Sequence, residues 1–119
     1  MPRVSVRRCL LAASACVALA GLACTSPTLP LPPPAAPIIS VGSTPDTVHL
    51  TSLEGVEPNA LVIILNRNEA VPRNKRVTGT IADERGTWDA DVIATKGDVL
   101  DVSQDNGVQS SPSVTVIVR

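Results

Sequence analysis

The sequence is poor in aromatic residues and in the side chains that most enzymes use. Trp88 is the only aromatic residue, and neither Phe nor Tyr occurs. Stacking platforms for single-stranded nucleic acid or sugar rings need several aromatic side chains, so we expect no such platform here. His49 is the only histidine, and no cysteine follows Cys24. Because no catalytic-triad, phosphate-loop or zinc spacing is present, we predict a non-enzymatic protein without a cofactor, with a hydrolase built on His49 as the enzymatic alternative.

Acidic residues are grouped around two predicted hairpins, but without the spacing of a calcium loop. They are Asp83, Glu84, Asp89 and Asp91 in the first group and Asp98, Asp101 and Asp105 in the second. Calcium binds clustered carboxylates, and a calcium site remains an alternative. The absence of an Asp-x-Asp-x-Asp-Gly pattern favours acids that are simply solvated at turns and outward strand positions.

Residues 1–23 have the pattern of a secretory signal peptide. Arg3, Arg7 and Arg8 precede an uncharged, mostly apolar run, residues 10–23, that ends in small side chains. A basic start, an apolar run and a small-residue cleavage region are typical of an export signal. The run of about 14 residues is shorter than the roughly 20 needed to span a bilayer, which makes an uncleaved anchor helix the weaker alternative.

Residues 19–24, Leu-Ala-Gly-Leu-Ala-Cys, resemble the lipobox of bacterial lipoproteins. The family usually has leucine three positions before the cysteine and a small residue two before it, an order that Gly21 and Leu22 reverse. The resemblance implies that Cys24 is acylated and anchors the protein to a membrane. Thr25, in place of aspartate, implies sorting to the outer membrane of the cell envelope. The alternative Cys16 would leave too short an apolar run.

The segment 24–37 is predicted to be the lipidated cysteine and a proline-rich linker. Residues 25–37 hold six of the eleven prolines. Proline lacks an amide donor and fixes φ, so this segment cannot join a helix or a central strand. As an extended spacer of about 3.1 Å per residue it would reach roughly 40 Å. A ligand for a proline-reading groove is the alternative.

Residues 38–119 alternate β-branched apolar residues with polar ones, which predicts half-buried strands. Trp88 lies on an apolar strand face and is predicted to be a core residue, and His49 to lie at a strand surface. Leu61–Leu65 is apolar on both faces, as in a central strand. Seven short strands at this spacing predict a single all-β domain, a β-sandwich. The predicted strands are 38–41, 47–53, 61–66, 76–82, 87–94, 99–104 and 113–118.

Four segments of this domain are similar to motifs of bacterial Ig-like domains. Residues 55–64 (Gly-Val-Glu-Pro-Asn-Ala-Leu-Val-Ile-Ile) resemble the family's turn into an apolar strand, and residues 79–88 resemble its hairpin that ends in Gly-x-Trp. Residues 97–100 and 111–116 resemble its last two strands. Asn59 replaces the family's turn glycine, and the loop 67–75 is longer than expected. The resemblance implies that the sandwich of about seven antiparallel strands is Ig-like, a fold that serves many functions.

Charge is unevenly distributed over the predicted domain. The chain after residue 23 has seven basic and eleven acidic residues, a net charge of −4, which gives no attraction to nucleic acid. One loop is basic instead. It contains four basic residues and a single acid, Glu69; the basic residues are Arg67, Arg73, Lys75 and Arg76. These four basic residues are the candidate contact site for an acidic partner or polymer, and a loop that is simply solvated is the alternative. We therefore predict a lipid-anchored envelope domain that binds another envelope protein or a surface polysaccharide. The alternative is a structural accessory subunit of a larger secretion, motility or transport assembly.

Overall fold

The computed structural model describes residues 29–119, so the predicted signal peptide and the lipidation site at Cys24 lie outside the described residues. The described chain forms seven strands: β1 (Ile38–Val41), β2 (Thr47–Ser52), β3 (Leu61–Asn66), β4 (Val77–Ile81), β5 (Trp88–Ile93), β6 (Val99–Asp105) and β7 (Val114–Ile117). A single turn of 3-10 helix, Arg73–Lys75, separates β3 from β4. Within residues 29–119 no helix has the length and apolarity to cross a membrane.

The strands form two antiparallel sheets, one in the order β1-β2-β5 and the other in the order β4-β3-β6-β7. The predicted all-β sandwich is confirmed, and every predicted strand agrees with the observed one to within one residue at each end. Constant-type Ig domains also separate strands one, two and five from strands three, six and seven. They place the fourth strand in the first sheet, whereas here β4 lies beside β3, which makes β3 a central strand as predicted.

The core lies between the sheets and is built from alternate residues of each strand, because side chains on a strand point to opposite faces in turn. In β3, Val62 and Ile64 are fully buried, whereas Leu61 and Leu65 are exposed on the outer face. Trp88 is 3% exposed, which confirms it as a core residue. The other large buried side chains of the core are Leu50, Val92, Leu100 and Val102.

The strand connections collect at two ends of the sandwich, because every strand runs antiparallel to its neighbours. We call the end where β1 begins the N-terminal pole, and it holds the connections 53–60, 82–87 and 106–113. The opposite end, the distal pole, holds the connections 42–46, 67–76 and 94–98. Hydrogen bonds within each pole tie its loops together, such as Asn59 N to Asp83 O at 2.9 Å and Ala94 N to Asp46 O at 3.0 Å.

Part of the predicted linker is packed against the domain. Leu31 is 4% exposed, Pro34 and Pro37 are also buried, and Ala35 N donates to Gly55 O at 2.9 Å. Because the packed segment begins at Leu31, the predicted spacer can extend no further than residue 30 and comprises at most residues 25–30. At about 3.1 Å per residue these six residues would reach roughly 19 Å, half the reach expected for the whole linker.

The buried amide of Gln104 bridges this segment and the loop 53–60. Its Nε2 donates to Pro32 O at 2.8 Å, and its Oε1 accepts from Glu57 N at 2.8 Å. Gln104→Ala is expected to release residues 31–35, since it removes about 1–2 kcal/mol of docking free energy. Hydrogen exchange at the amides of Leu31 and Ala35 should accelerate. Ser103→Ala on the opposite face of β6 is the control, and equal exchange in both variants would contradict this docking role.

Asn59 shows how the chain departs from the Ig-like turn motif without losing the turn. Its φ is 62°, in the left-handed region that glycine adopts freely and asparagine tolerates better than other residues. The neighbouring turn has a stricter requirement, because Gly86 has φ 80° and a Cβ there would lie 2.0 Å from Val56 O. The loop 53–60 and the turn 82–87 are thus fixed against each other.

A candidate contact loop at the distal pole

The basic loop between β3 and β4 starts from a buried asparagine. Asn66, the last residue of β3, has no exposed surface. Its Nδ2 donates to Ile93 O at 2.9 Å and to Asp98 Oδ2 at 3.0 Å, and its Oδ1 accepts from Asn68 N at 2.9 Å. Buried polar groups require such partners because an unpaired one loses its bonds to water. Asn66 therefore attaches the start of the loop to the end of β5 and to the connection 94–98.

Asp98 is the centre of this network. Its carboxylate accepts from Asn66 Nδ2, from Asn68 Nδ2 at 2.9 Å and from Thr95 N at 3.0 Å, and the residue is 8% exposed. Burial disfavours the charged form, but the hydrogen bonds from Asn66, Thr95 and Asn68 outweigh burial and hold the pKa of Asp98 below its ordinary value. The expectation that the acids are solvated is wrong for this residue.

Arg67, the first predicted contact residue, is engaged within the domain. Its Nε and Nη2 donate to the two carboxylate oxygens of Asp101 at 2.5 and 2.8 Å, and Thr115 Oγ1 donates to the same carboxylate at 2.8 Å. The hydrogen bond from Arg67 holds the pKa of Asp101 below its usual range. This bidentate pair fixes the side chain of Arg67 on the outer face of the four-stranded sheet.

Arg76, the last predicted contact residue, closes the loop. Its Nε donates to Val71 O at 2.7 Å and its Nη2 donates to Glu69 O at 2.6 Å, while Arg76 O accepts from Asn66 N at 2.8 Å. A guanidinium presents several donors in a rigid fork, which suits it to bridging two carbonyl oxygens. Both ends of the loop are therefore fixed by hydrogen bonds.

Arg73 and Lys75 differ from the other two predicted contact residues because nothing in the described domain engages their side chains. They lie in the 3-10 turn, and both are exposed. Among residues 29–119, neither side chain has a hydrogen-bond or ion-pair partner within the domain. The four basic residues thus divide into two that build the loop, Arg67 and Arg76, and two that are free to contact another molecule. The sequence pattern had no signal that separates these roles.

The acidic turns at the N-terminal pole use their carboxylates to bind backbone. Asp83 accepts from Thr87 N and Arg85 N, and these bonds lower its pKa. Asp105 accepts from Gly107 N at 2.7 Å and from the Ser110 hydroxyl at 2.9 Å, which likewise lowers its pKa. In the part of the chain that the structure describes, no group of three or more His, Cys, Asp or Glu residues could hold a metal ion.

His49 lies on the outer face of the three-stranded sheet, and its side chain is 33% exposed, which confirms the surface position. Its Nδ1 is 2.8 Å from Asp91 Oδ1, and its Nε2 is 3.6 Å from Asp89 Oδ2. Within residues 29–119 the ring is hydrogen-bonded to Asp91, lies close to Asp89 and contacts no hydroxyl. A histidine that activates a serine needs the serine hydroxyl at one ring nitrogen.

A shallow cleft of about 480 Å³ separates the edge strands β1 and β7. It is lined by Pro37, Ile39, Thr115, Val116, Ile117 and Arg119. The lining offers one charged side chain and no converging polar groups, so the cleft lacks the features of a small-molecule site.

Comparison of the chain with protein-family models, with curated proteins and with solved structures found no match.

Proposed function

We propose that this chain is a non-enzymatic, lipid-anchored protein of the bacterial cell envelope whose β-sandwich binds an acidic envelope protein or surface polymer. Cys24 would carry the lipid, with the outer membrane favoured by Thr25, and residues 25–30 would form the free spacer. The contact site is the loop 67–76, with Arg73 and Lys75 as the contacting side chains.

One observation carries this proposal: within residues 29–119 the loop is held by hydrogen bonds at both ends, yet it leaves two cations unpaired at the pole opposite the one that the linker approaches. Asn66, Asp98 and Arg76 fix the loop through buried or backbone-directed hydrogen bonds. Arg73 and Lys75 project from it into solvent. A pre-organised site binds with less loss of conformational entropy than a flexible loop. The linker approaches at the N-terminal pole, so the loop would face away from the membrane to which Cys24 is attached.

The non-enzymatic part of the proposal is supported by how the reactive side chains are used. The ring of His49 contacts carboxylates, and Asp83 and Asp105 bind the backbone of their own turns. The binding part is supported by the loop, since recognition residues commonly lie on loops held by a rigid scaffold.

The test is a crosslinking pull-down from intact cells with the full chain carrying a C-terminal tag. Arg73→Ser combined with Lys75→Ser is expected to lower recovery of the partner roughly tenfold, because it removes both free charges from the contact site. Quantitative mass spectrometry of the recovered material measures the effect.

The matched control removes the same two charges elsewhere, with Arg85→Ser and Lys96→Ser, and should leave recovery unchanged. Equal losses in both double variants would refute the loop as the contact site. A partner recovered in fixed ratio would identify a dedicated subunit of an envelope assembly. Polymer recovered without a fixed ratio would identify a surface-binding domain.

The anchor is tested in the same cells with Cys24→Ser. This variant should leave the membrane fraction, since a covalent lipid supplies the hydrophobic attachment. A variant that stays in the membrane would refute lipidation at Cys24 while leaving the contact loop to be judged by the pull-down.

A further inference from the structure

Strand β4 is an edge of the four-stranded sheet whose outward backbone groups have no partner within the described domain. Asn66 N donates to Arg76 O, and Ala82 N donates to Ala60 O, at opposite ends of the β3–β4 ladder. In an antiparallel ladder, hydrogen-bonded residues alternate with residues that point the other way. The N–H and C=O groups of Val77, Gly79 and Ile81 therefore point away from β3 toward the open edge.

This edge lacks the features that usually prevent strands from associating. Exposed edges are commonly protected by charged side chains, proline or a bulge. From Val77 to Ile81 the sequence is Val-Thr-Gly-Thr-Ile, with neither a charge nor a proline. The edge strand β5 of the other sheet, by contrast, carries Asp89 and Asp91.

The outer face beside this edge is apolar. Val77 is 56% and Ile81 is 71% exposed. The register pairs Leu61 with Ile81, Ile63 with Gly79 and Leu65 with Val77, so these six residues share one face of the sheet. A contiguous exposed apolar face of this kind typically marks an interaction surface.

The sequence of β4 is complementary to itself in the antiparallel direction. If Gly79 is placed opposite Gly79 of a second copy, Val77 lies opposite Ile81 and Thr78 lies opposite Thr80. Thr–Thr and branched aliphatic pairs are favourable across antiparallel strands. The outward backbone groups of residues 77, 79 and 81 meet the same groups of the second copy, so about six hydrogen bonds can form.

Charges beyond the ends of β4 favour the same arrangement. Lys75 and Arg76 precede the strand, and Asp83 and Glu84 follow it, with Arg85 further along the turn. Antiparallel pairing brings the basic end of one copy to the acidic end of the other at both ends of the interface. Parallel pairing would bring like charges together, which is unfavourable.

We infer that β4 is a homodimer interface: two copies of this chain associate through antiparallel β4–β4 pairing about Gly79, forming one continuous eight-stranded sheet. The interface is isologous, with a two-fold axis between the two Gly79 residues. It joins the apolar faces of Leu61, Leu65 and Ile81 from both copies into one surface. The inference does not rest on the proposed function: Lys75 flanks this interface and also belongs to the contact loop, but the backbone pairing of β4 needs neither Lys75 nor a bound partner.

The first test is disulfide crosslinking of the full chain in isolated membranes. Hydrogen-bonded residues of an antiparallel pair have Cα atoms about 5.5 Å apart, within the range for a disulfide. Gly79→Cys is therefore expected to crosslink on mild oxidation, since a Cβ at Gly79 meets only Leu61 Cδ1 at 3.7 Å. Mass spectrometry should find a peptide that joins residue 79 of two copies. The parent chain with Gly79 intact gives the background from any of its own cysteines that retain a free thiol.

The register supplies matched controls. Val77→Cys alone should not crosslink to itself, because residue 77 lies opposite residue 81, but mixing it with Ile81→Cys should give a 77–81 product. Ser103→Cys, on the same face but in the interior of the sheet, should give no product. Alkylation shows whether the introduced thiol at residue 79 is accessible. If the thiol is alkylated but no 79–79 product forms, the inference is overturned. A 77–77 product as abundant as the 79–79 product would overturn it as well.

A charge test separates pairing from chance collision and leaves the contact loop intact. Gly79→Lys should lower the association constant roughly tenfold or more, because like charges then lie directly opposite each other. Gly79→Asp should do the same, and a mixture of the two variants should associate again. Light scattering of the detergent-solubilised full chain measures the mass. Association of Gly79→Lys as strong as that of the parent chain would refute the interface, whatever the pull-down shows.

Discussion

Ile64→Ala is expected to lower the free energy of unfolding by about 3 kcal/mol or more, whereas Ile63→Ala should lower it by about 1 kcal/mol or less. Ile64 is fully buried between the sheets, and its truncation leaves a cavity. Ile63 lies on the outer face, where it is only partly buried. The two substitutions delete the same atoms from adjacent residues of one strand. The difference between their losses of stability therefore reports which face of β3 points into the core.

Urea unfolding of the full chain, monitored by the fluorescence of Trp88, measures both values. Trp88 is the only tryptophan, and its burial makes it a reporter of core packing. A one-residue shift in the register of β3 would exchange the two effects, because it moves every side chain to the other face. Equal losses for the two variants would contradict the sandwich register.

The strands could be predicted from the sequence because each one satisfies a local rule. Leu100 and Val102 in one strand, and Val114, Val116 and Val118 in another, place apolar side chains at alternate positions, and turn-forming residues separate the strands. Asn59, which replaces the glycine of the Ig-like turn motif, is also compatible with the turn, because asparagine tolerates a positive φ. These local rules could not predict which sheet β4 joins. Strand β4 pairs with β3 and does not join the sheet of β1, β2 and β5, and that choice depends on contacts between segments that are distant in the sequence.

The candidate site was predicted only as a cluster of charge. In the sequence, the four basic residues of the loop look alike. Only the fold brings Asp101 to Arg67 and the carbonyl oxygens of the loop to Arg76, whereas Arg73 and Lys75 have no such partner among residues 29–119. Asp98 follows Lys96-Gly97, a typical solvated turn, so nothing nearby in the sequence indicated that it is buried against Asn66. The docking of Leu31 beside Gln109 likewise joins residues 78 positions apart.

Asp98→Ala is expected to lower the free energy of unfolding by about 3 kcal/mol, because it leaves buried donors without an acceptor. Asn66 Nδ2 keeps its bond to Ile93 O but loses its bond to Asp98, while Asn68 Nδ2 and Thr95 N each lose a bond. Asp46→Ala is the matched control, since it removes an exposed acid from the same pole and should have an effect of about 0.5 kcal/mol or less. Urea unfolding near neutral pH compares the two variants.

The pH dependence of the free energy of unfolding gives a second test of this prediction. Because the pKa of Asp98 is lower in the folded protein than its ordinary value, the ionised carboxylate stabilises the fold fully above the unfolded pKa of about 3.9. That contribution is lost as the pH falls through the folded pKa. The difference in stability between the parent chain and Asp98→Ala should therefore be constant above about pH 5 and shrink below about pH 4. A difference that grows on acidification would mean that the carboxylate is not stabilised by these hydrogen bonds.

The same substitution links the network to the proposed contact site. Asp98 touches neither Arg73 nor Lys75, so Asp98→Ala leaves both free cations in place and changes only what holds the loop. Hydrogen exchange at the amides of Asn68 and Ala70, which depend on Asn66 Oδ1 and Asn68 Oδ1, should accelerate. If pre-organisation of the loop contributes to binding, partner recovery should fall in Asp98→Ala although the contact residues are unchanged. Full recovery with faster exchange would show that the charges bind without the rigid loop, and that the network serves stability alone.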